Sequence, residues 1–235
     1  MLHSNHTKIL LLAGMVLGAV APIQAAIIDS FENPPHTVGA NPSGWGNNEP
    51  ASTILEISDT TAYDGTQSVY MEDNSSTQNP SITRDNGSTL QSGSLTFAYR
   101  PNSGDSFRID LFASGGGTKH YDILFSGQVG IRNPGGAFIA TETYANAGFN
   151  AAAWNLIKLA FNEDDDTASI WVNGNLALTS SLASIDWSVG RVGFHMGYSS
   201  VTGRSGYVDA VALIVPEPGS MALLAPLVFA CIRRR

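Results

Sequence analysis

Trp154-Asn155-Leu156-Ile157-Lys158-Leu159-Ala160-Phe161, an acidic stretch from Asn162 to Asp166, and Thr167-Ala168-Ser169-Ile170-Trp171-Val172-Asn173-Gly174 carry the pattern of a β-hairpin. Ile157, Leu159 and Phe161 alternate with Lys158 and Ala160, a period of two that sends apolar residues to one face of a strand. A second strand is expected over Ala168 to Val172. The acids Asp164, Asp165 and Asp166 suit a solvated turn between the two strands. Asn173-Gly174 tolerates the positive φ values of a tight hairpin turn, so a third strand, Asn175 to Leu178, should follow.

The same period recurs along the chain. Leu95, Phe97 and Tyr99 alternate with Thr96 and Ala98, and Phe107, Ile109 and Leu111 alternate with Arg108 and Asp110. Further strands are expected at Ile27 to Glu32, Thr53 to Ile57, Gln67 to Glu72, Tyr121 to Phe125, Val129 to Arg132, Arg191 to Met196 and Gly206 to Ile214. Turn signals separate them at Tyr63-Asp64-Gly65, Asn86-Gly87, Asn102-Ser103-Gly104, Gly115-Gly116-Gly117 and Asn133-Pro134-Gly135. Thr179 to Ser184 reads as a loop. Many short strands with glycine-rich turns, and no long amphipathic helix between the termini, predict an all-β fold: a jelly-roll β-sandwich in one domain.

The two ends read differently. Lys8 precedes the apolar run Ile9 to Val20, and Ala25-Ala26 offers small residues for cleavage, so 1–25 is expected to be a signal peptide and 26–214 the sandwich. In 215–235, Pro216-Glu217-Pro218 ends the globular part, Met221 to Ile232 is apolar, and Arg233, Arg234 and Arg235 close the chain. Twelve helical residues reach about 18 Å, short of a hydrocarbon core of about 30 Å. This three-part tail resembles the PEP-CTERM sorting signal of Gram-negative bacteria. The resemblance implies transient inner-membrane anchoring through 221–232 and cutting near the Pro-Glu-Pro box by an exosortase after signal peptidase has acted. The body would then be released to the cell surface or extracellular matrix, where exopolysaccharide is a partner.

The hairpin quoted first, with Gly206-Tyr207-Val208-Asp209-Ala210-Val211 expected to pair with Ile28-Asp29-Ser30-Phe31-Glu32, resembles concanavalin A-like, laminin G-like sandwiches. Phe31, Glu32, Gly44 and Trp45 also resemble the opening of galactose-binding-like sandwiches found in carbohydrate-binding modules. The first resemblance implies a jelly roll. In several sandwich families it would also imply a structural calcium held by acids on the first and last strands, here Asp29 or Glu32 with Asp209. Hard carboxylate oxygens suit that ion, and no other cofactor is required.

Between residues 26 and 215, eight Lys or Arg stand against nineteen Asp or Glu, a net charge of −11 that disfavours nucleic acid. The sole cysteine, Cys231, lies in the tail, so the body has no disulfide. The carboxylate pair of jelly-roll glycosidases is absent, Glu56 and Asp59 lack its spacing, and no nucleophile elbow or nucleotide loop occurs. His36, His120 and His195 show no ligand spacing. An enzyme is therefore not expected, a polysaccharide hydrolase or lyase ranking last among the functions. Carbohydrate binding ranks first, with Trp45, Tyr144, Trp187 and Tyr198 as candidate stacking residues near Gly, Ser or Asn, and Trp154 and Trp171 expected in the core. A structural or adhesive matrix protein without a small ligand is the alternative.

Overall fold

The computed structural model describes residues 24–197 and 202–215; the expected terminal helices and the sorting residues Pro216, Glu217, Pro218, Arg233, Arg234 and Arg235 lie outside them. The described chain forms β1 (Gln24–Asp29), β2 (Gly46–Asn48), β3 (Thr53–Ser58), β4 (Ser68–Asp73), β5 (Ser81–Leu90) and β6 (Ser92–Ser103). Next come β7 (Phe107–Phe112), β8 (Lys119–Phe125), β9 (Gln128–Arg132), β10 (Phe138–Thr143) and the single-turn helix α1 (Tyr144–Ala147). The last five are β11 (Asn155–Asn162), β12 (Thr167–Val172), β13 (Asn175–Ser181), β14 (Val189–Met196) and β15 (Arg204–Val215).

Two antiparallel sheets result. One runs β13-β12-β11-β6-β15-β4-β3 with β1 added on β15, and the other runs β10-β9-β8-β7-β14-β5-β2. Strands remote in sequence lie side by side in both, as the crossing connections of a jelly-roll sandwich require. Alternate residues from each sheet fill the space between them. Phe97, Tyr99, Phe107, Phe125 and Phe194 are fully buried there, with Tyr99 stacked on Phe107 at 4.1 Å between ring centroids. Full burial of each such ring contributes about 1.5–3 kcal/mol, which suits a body without disulfides.

The deciding hairpin forms as expected: Ile157 pairs with Val172, Asn162 with Thr167, and Asp166, Asn173 and Gly174 take positive φ in the two turns. The terminal strands also meet, Ile28 opposite Ala212 and Asp29 opposite Val211. Strand β1 begins at Gln24, so two of its five pairs precede the expected cut and three follow it.

Other expectations are corrected. β13 continues to Ser181, into the stretch read as a loop. Asn86-Gly87 is no turn but an irregularity inside β5. Gly87 has φ of 78° and its N–H donates to Asp85, while Arg191 pairs with Asp85 and Val189 with Leu90. A pair that often signals a hairpin here serves as a bulge, which twists a strand without ending it. Strands β2, β5 and β10, all in the seven-stranded sheet, are additional to those expected from the sequence.

Candidate functional site

Strand β7 is built from Phe107-Arg108-Ile109-Asp110-Leu111-Phe112. Phe107, Ile109 and Leu111 enter the core, which leaves Arg108, Asp110 and Phe112 on the opposite, solvent-side face of the seven-stranded sheet. Antiparallel register extends that face sideways. Thr83 (β5), Gly193 (β14), Asp110 (β7), Asp122 (β8), Arg132 (β9) and Phe138 (β10) are successive cross-strand partners. Six strands spaced at about 4.8 Å make this row about 24 Å long. His195, Arg108 and Leu124 form a neighbouring row on one side, and Asp85, Arg191, Phe112 and Lys119 form one on the other.

The acids lie deepest. Arg132 donates from Nε to Asp122 Oδ1 at 2.6 Å and from Nη2 to Oδ2 at 2.9 Å, and Lys119 Nζ bonds the same Oδ2. Asp110 has Arg108 Nε 2.9 Å from Oδ1 and His195 Nε2 3.1 Å from Oδ2. Side-chain exposure is 0% for Asp122 and 6% for Asp110 but 23% for both Arg108 and Lys119, so solvent meets mainly the cations. Arg191 lays its guanidinium 4.3 Å from the Phe112 ring centroid, and its buried Nε has no hydrogen-bond partner among the described residues. Four of the eight Lys and Arg residues between 26 and 215 thus share this face.

Two glycines shape its relief. A Cβ at Gly130 would come within 2.4 Å of the Phe138 ring, which lies over that glycine with the Arg132 guanidinium 5.9 Å from its centroid. Phe138 stays 44% exposed, a flat apolar surface open to a ligand. At Gly193 a Cβ would sit 3.0 Å from His195 Nε2 and 3.3 Å from Thr83 Cγ2. The missing Cβ lets His195, Thr83 and Phe112 close in over the backbone beside Asp110.

The stacking residues expected from sequence are elsewhere. Trp45 is buried between Phe31 and Phe194, its indole N–H donating to Asp29 Oδ2 at 2.8 Å. Trp187 is fully buried edge-on to Tyr121. Tyr144 packs on Phe149, with ring centroids 4.2 Å apart, against the core. Tyr198 lies outside the described residues. Polar neighbours in sequence gave no indication of orientation, which inter-sheet packing decides. Trp154 and Trp171, expected in the core, instead lie on the outer face of the eight-stranded sheet. Trp154 stands near exposed Tyr63 and Tyr207, and Trp171 carries Lys158 5.3 Å from its ring centroid. Thr96, Leu156, Lys158, Trp171 and Gly174 line a shallow hollow of about 280 Å³ there. The hollow joins one ring to one cation, whereas the row of the other sheet and its neighbours join Phe138 to four Lys and Arg residues, which makes the row the stronger site.

The expected calcium ligands separate. Asp29 accepts from Phe31 N, His36 Nε2, Trp45 Nε1 and Arg84 Nη1. Glu32 accepts from Thr66 N, Thr66 Oγ1 and Gln67 N, and Asp209 from Tyr63 N, Asp64 N and Ala210 N. Glu32 and Asp209 therefore hold down one loop, residues 63–67, while Asp29 organises a different corner. Among the described residues no three His, Cys, Asp or Glu side chains are grouped to hold a metal ion. N–H and O–H donors surround these carboxylates where a cation needs oxygens, so the residues do not fit calcium as they stand. Melting in calcium and in chelator checks this: equal midpoints are expected, and a midpoint raised by calcium would return the ion to this corner.

Two buried aspartates should titrate in opposite directions. Burial raises the Asp110 carboxyl, but the hydrogen bond and charge of His195, then Arg108 and Lys119, outweigh it and hold it below the usual range. Its contribution to stability is present above about pH 4 and lost as pH falls through its depressed value. Burial first, with the Glu32 charge in support, pushes Asp209 up to about 6 against its three N–H bonds. That contribution is fully present below about pH 4 and lost as pH rises through about 6. Carboxyl NMR titration should show an Asp209 midpoint near 6, and a midpoint near 4 would refute the assignment.

No family model and no curated protein matches the sequence. Solved structures match the fold. The chain is similar to a sialidase at 10% identity and TM-score 0.61 over 83% of this chain but only 19% of that one, so it spans about a fifth of that protein's length. It resembles an endo-β-1,4-glucuronan lyase from Trichoderma reesei at 14% identity and TM-score 0.56, covering 82% of this chain and 96% of that one. It also resembles the Emp47p carbohydrate recognition domain at 11% identity and TM-score 0.53, covering 83% and 97%.

Proposed function

We propose that the sandwich binds a polysaccharide laid across strands β5 to β10, on the solvent-side face of the seven-stranded sheet. The row from Thr83 to Phe138 is the observation that carries this reading. Sugars are recognised by rings that stack on their C–H faces and by planar polar groups that pair with their oxygens, in shallow preformed clefts. Phe138 supplies the ring, and Arg108 and Arg191 the planar groups, over a length sufficient for several sugar units. The same fold in a carbohydrate recognition domain and in a glucuronan lyase supports the reading.

Binding of the purified protein to a polysaccharide panel, measured by affinity electrophoresis and calorimetry, tests it. Phe138→Ala should weaken binding about 2- to 12-fold, the worth of one stacking contact. Its melting midpoint should stay nearly unchanged, because the ring is half open to water. Trp171→Ala, on the other sheet, should leave affinity intact. The reverse pattern would move the site to the Trp171 hollow, and no binding at all would favour the structural, adhesive role.

One pair of side chains favours a second reading, cleavage of the bound glycan. His195 lies against a buried carboxylate, Asp110, in the manner of a base held in orientation, in the middle of the proposed binding row. Release of shorter chains on incubation with polysaccharide would establish turnover; full-length recovery of every polymer would leave binding alone.

Export and sorting belong to the same proposal. The leader 1–25 and the tail 215–235 would deliver the domain, through signal peptidase and exosortase, to a surface rich in exopolysaccharide. Mass spectrometry of the surface form should find a C-terminus near Pro216 to Ser220, whereas an intact Arg235 would mean a retained tail.

A further inference from the structure

We infer that the glycan taken by this face is acidic, carrying carboxylate or sulfate groups along its chain; the inference rests on the proposed glycan role of the same face. Neutral sugars present hydroxyl groups that both donate and accept, and sites for them mix donors with free acceptors. Here the acceptors are already occupied: Asp85, exposed beside Arg191, accepts from Gly87 N, Ser114 Oγ and Gly115 N. Asp122 is wholly covered, with both oxygens engaged by Arg132 and Lys119, and Asp110 is covered with Arg108 and His195 against its two oxygens.

What remains to be filled is a set of donors: the rest of the Arg108 fork, Lys119, and the end of the Arg191 guanidinium held flat on Phe112. A guanidinium has five N–H donors and no acceptor, and its planar fork matches carboxylate or sulfate oxygens two at a time. These cations stand in three adjacent strands, β14, β7 and β8, so acidic groups a few ångströms apart along a chain would meet them in turn.

The rest of the protein sharpens the choice. Net charge between residues 26 and 215 is −11, so no general attraction for polyanions exists, and a cationic face on such a body is a local feature. A densely charged nucleic acid would be repelled by the surrounding surface, while a glycan with spaced acidic groups and apolar C–H faces also satisfies Phe138.

The experiment compares a polyuronate, a sulfated glycan and a neutral xylan or glucan of similar length against the purified protein, at low and high salt. At least one acidic polymer should bind about tenfold or more tightly than the neutral ones and lose about tenfold in affinity between 50 and 500 mM salt. The stronger of the two acidic polymers identifies the acidic group. Arg191→Gln and Lys119→Gln should each lower acidic-glycan affinity several-fold, with circular dichroism confirming that the fold is kept. Tighter, salt-insensitive binding of a neutral glycan would overturn the inference while leaving the carbohydrate reading in place. Binding to no glycan would overturn both. Acidic-glycan binding unchanged in the Arg191→Gln, Lys119→Gln double variant would place the site elsewhere and overturn the inference alone.

Discussion

Asp122→Ala is expected to lower the free energy of unfolding by about 3–5 kcal/mol, a large share of the 5–15 kcal/mol available to an ordinary domain. The carboxylate is fully buried and accepts two hydrogen bonds from Arg132, itself almost fully buried, and one from Lys119. Truncation removes the negative charge and leaves the Arg132 charge where it was, under Phe138 and away from bulk water. Coulomb attraction in a buried pair roughly offsets the desolvation of both ions, and removing the carboxylate forfeits that attraction while Arg132 stays desolvated. The damage should therefore exceed that of removing both charges. Asp122→Leu combined with Arg132→Met should recover a substantial part of the loss in urea melts. A loss below about 1 kcal/mol for Asp122→Ala would mean that water reaches Arg132 and that the row is less dry than its burial indicates. Asp122→Asn separates charge from shape: it keeps one acceptor oxygen, so its loss should fall between those of Asp122→Ala and the double variant.

The alternation of Phe107, Ile109 and Leu111 with Arg108 and Asp110 made the face of β7 legible from sequence, since a period of two fixes which side chains share a side. The hairpin at Trp154 to Gly174 and the meeting of the terminal strands were legible for the same local reasons. Register between strands distant in the chain was not. Nothing in the sequence around Gly193 says that it flanks Asp110, because β14 and β7 are separated by seventy-six residues of chain. His195 therefore read as an isolated strand residue, although its imidazole lies against Asp110. The aromatic candidates failed through a related limit. Trp45 and Trp187 stand beside glycine and serine in sequence, yet each occupies the space between sheets because its neighbours turn the chain inward. Phe138 lies beside a run of glycines with no alternating pattern to mark it as a strand. Its exposure follows from Gly130 on the neighbouring strand, which leaves a flat bed for the ring.

Asp29→Ala should cost about 3–5 kcal/mol as well, through a different mechanism that also separates two accounts of this residue. Asp29 lies on β1 with four donors converging on its two oxygens. One is the N–H of Phe31, a non-glycine residue at φ of 57°, a left-handed conformation that this bond helps to hold. Another is His36, fully buried. Ser43 N donates to its Nδ1, so Nε2 carries the proton given to Asp29. The third is the indole of Trp45, and the fourth the guanidinium of Arg84, which also lies 5.6 Å from the Trp45 ring centroid. Loss of the carboxylate strands three neutral donors on buried residues, Phe31, His36 and Trp45, at about 1–3 kcal/mol each, before the partly exposed Arg84 is counted. Asp29→Asn retains one acceptor oxygen but adds an N–H pair facing other donors, so it should recover less than half of the loss, and Trp45 fluorescence should shift to the red in both variants. If Asp29 instead served a calcium ion, chelation of the wild-type protein would reproduce the same fluorescence shift and loss of stability. A carboxylate whose lone pairs are already filled by four donors leads to the opposite result: the variants fall, and the wild-type protein in chelator keeps both its midpoint and its spectrum.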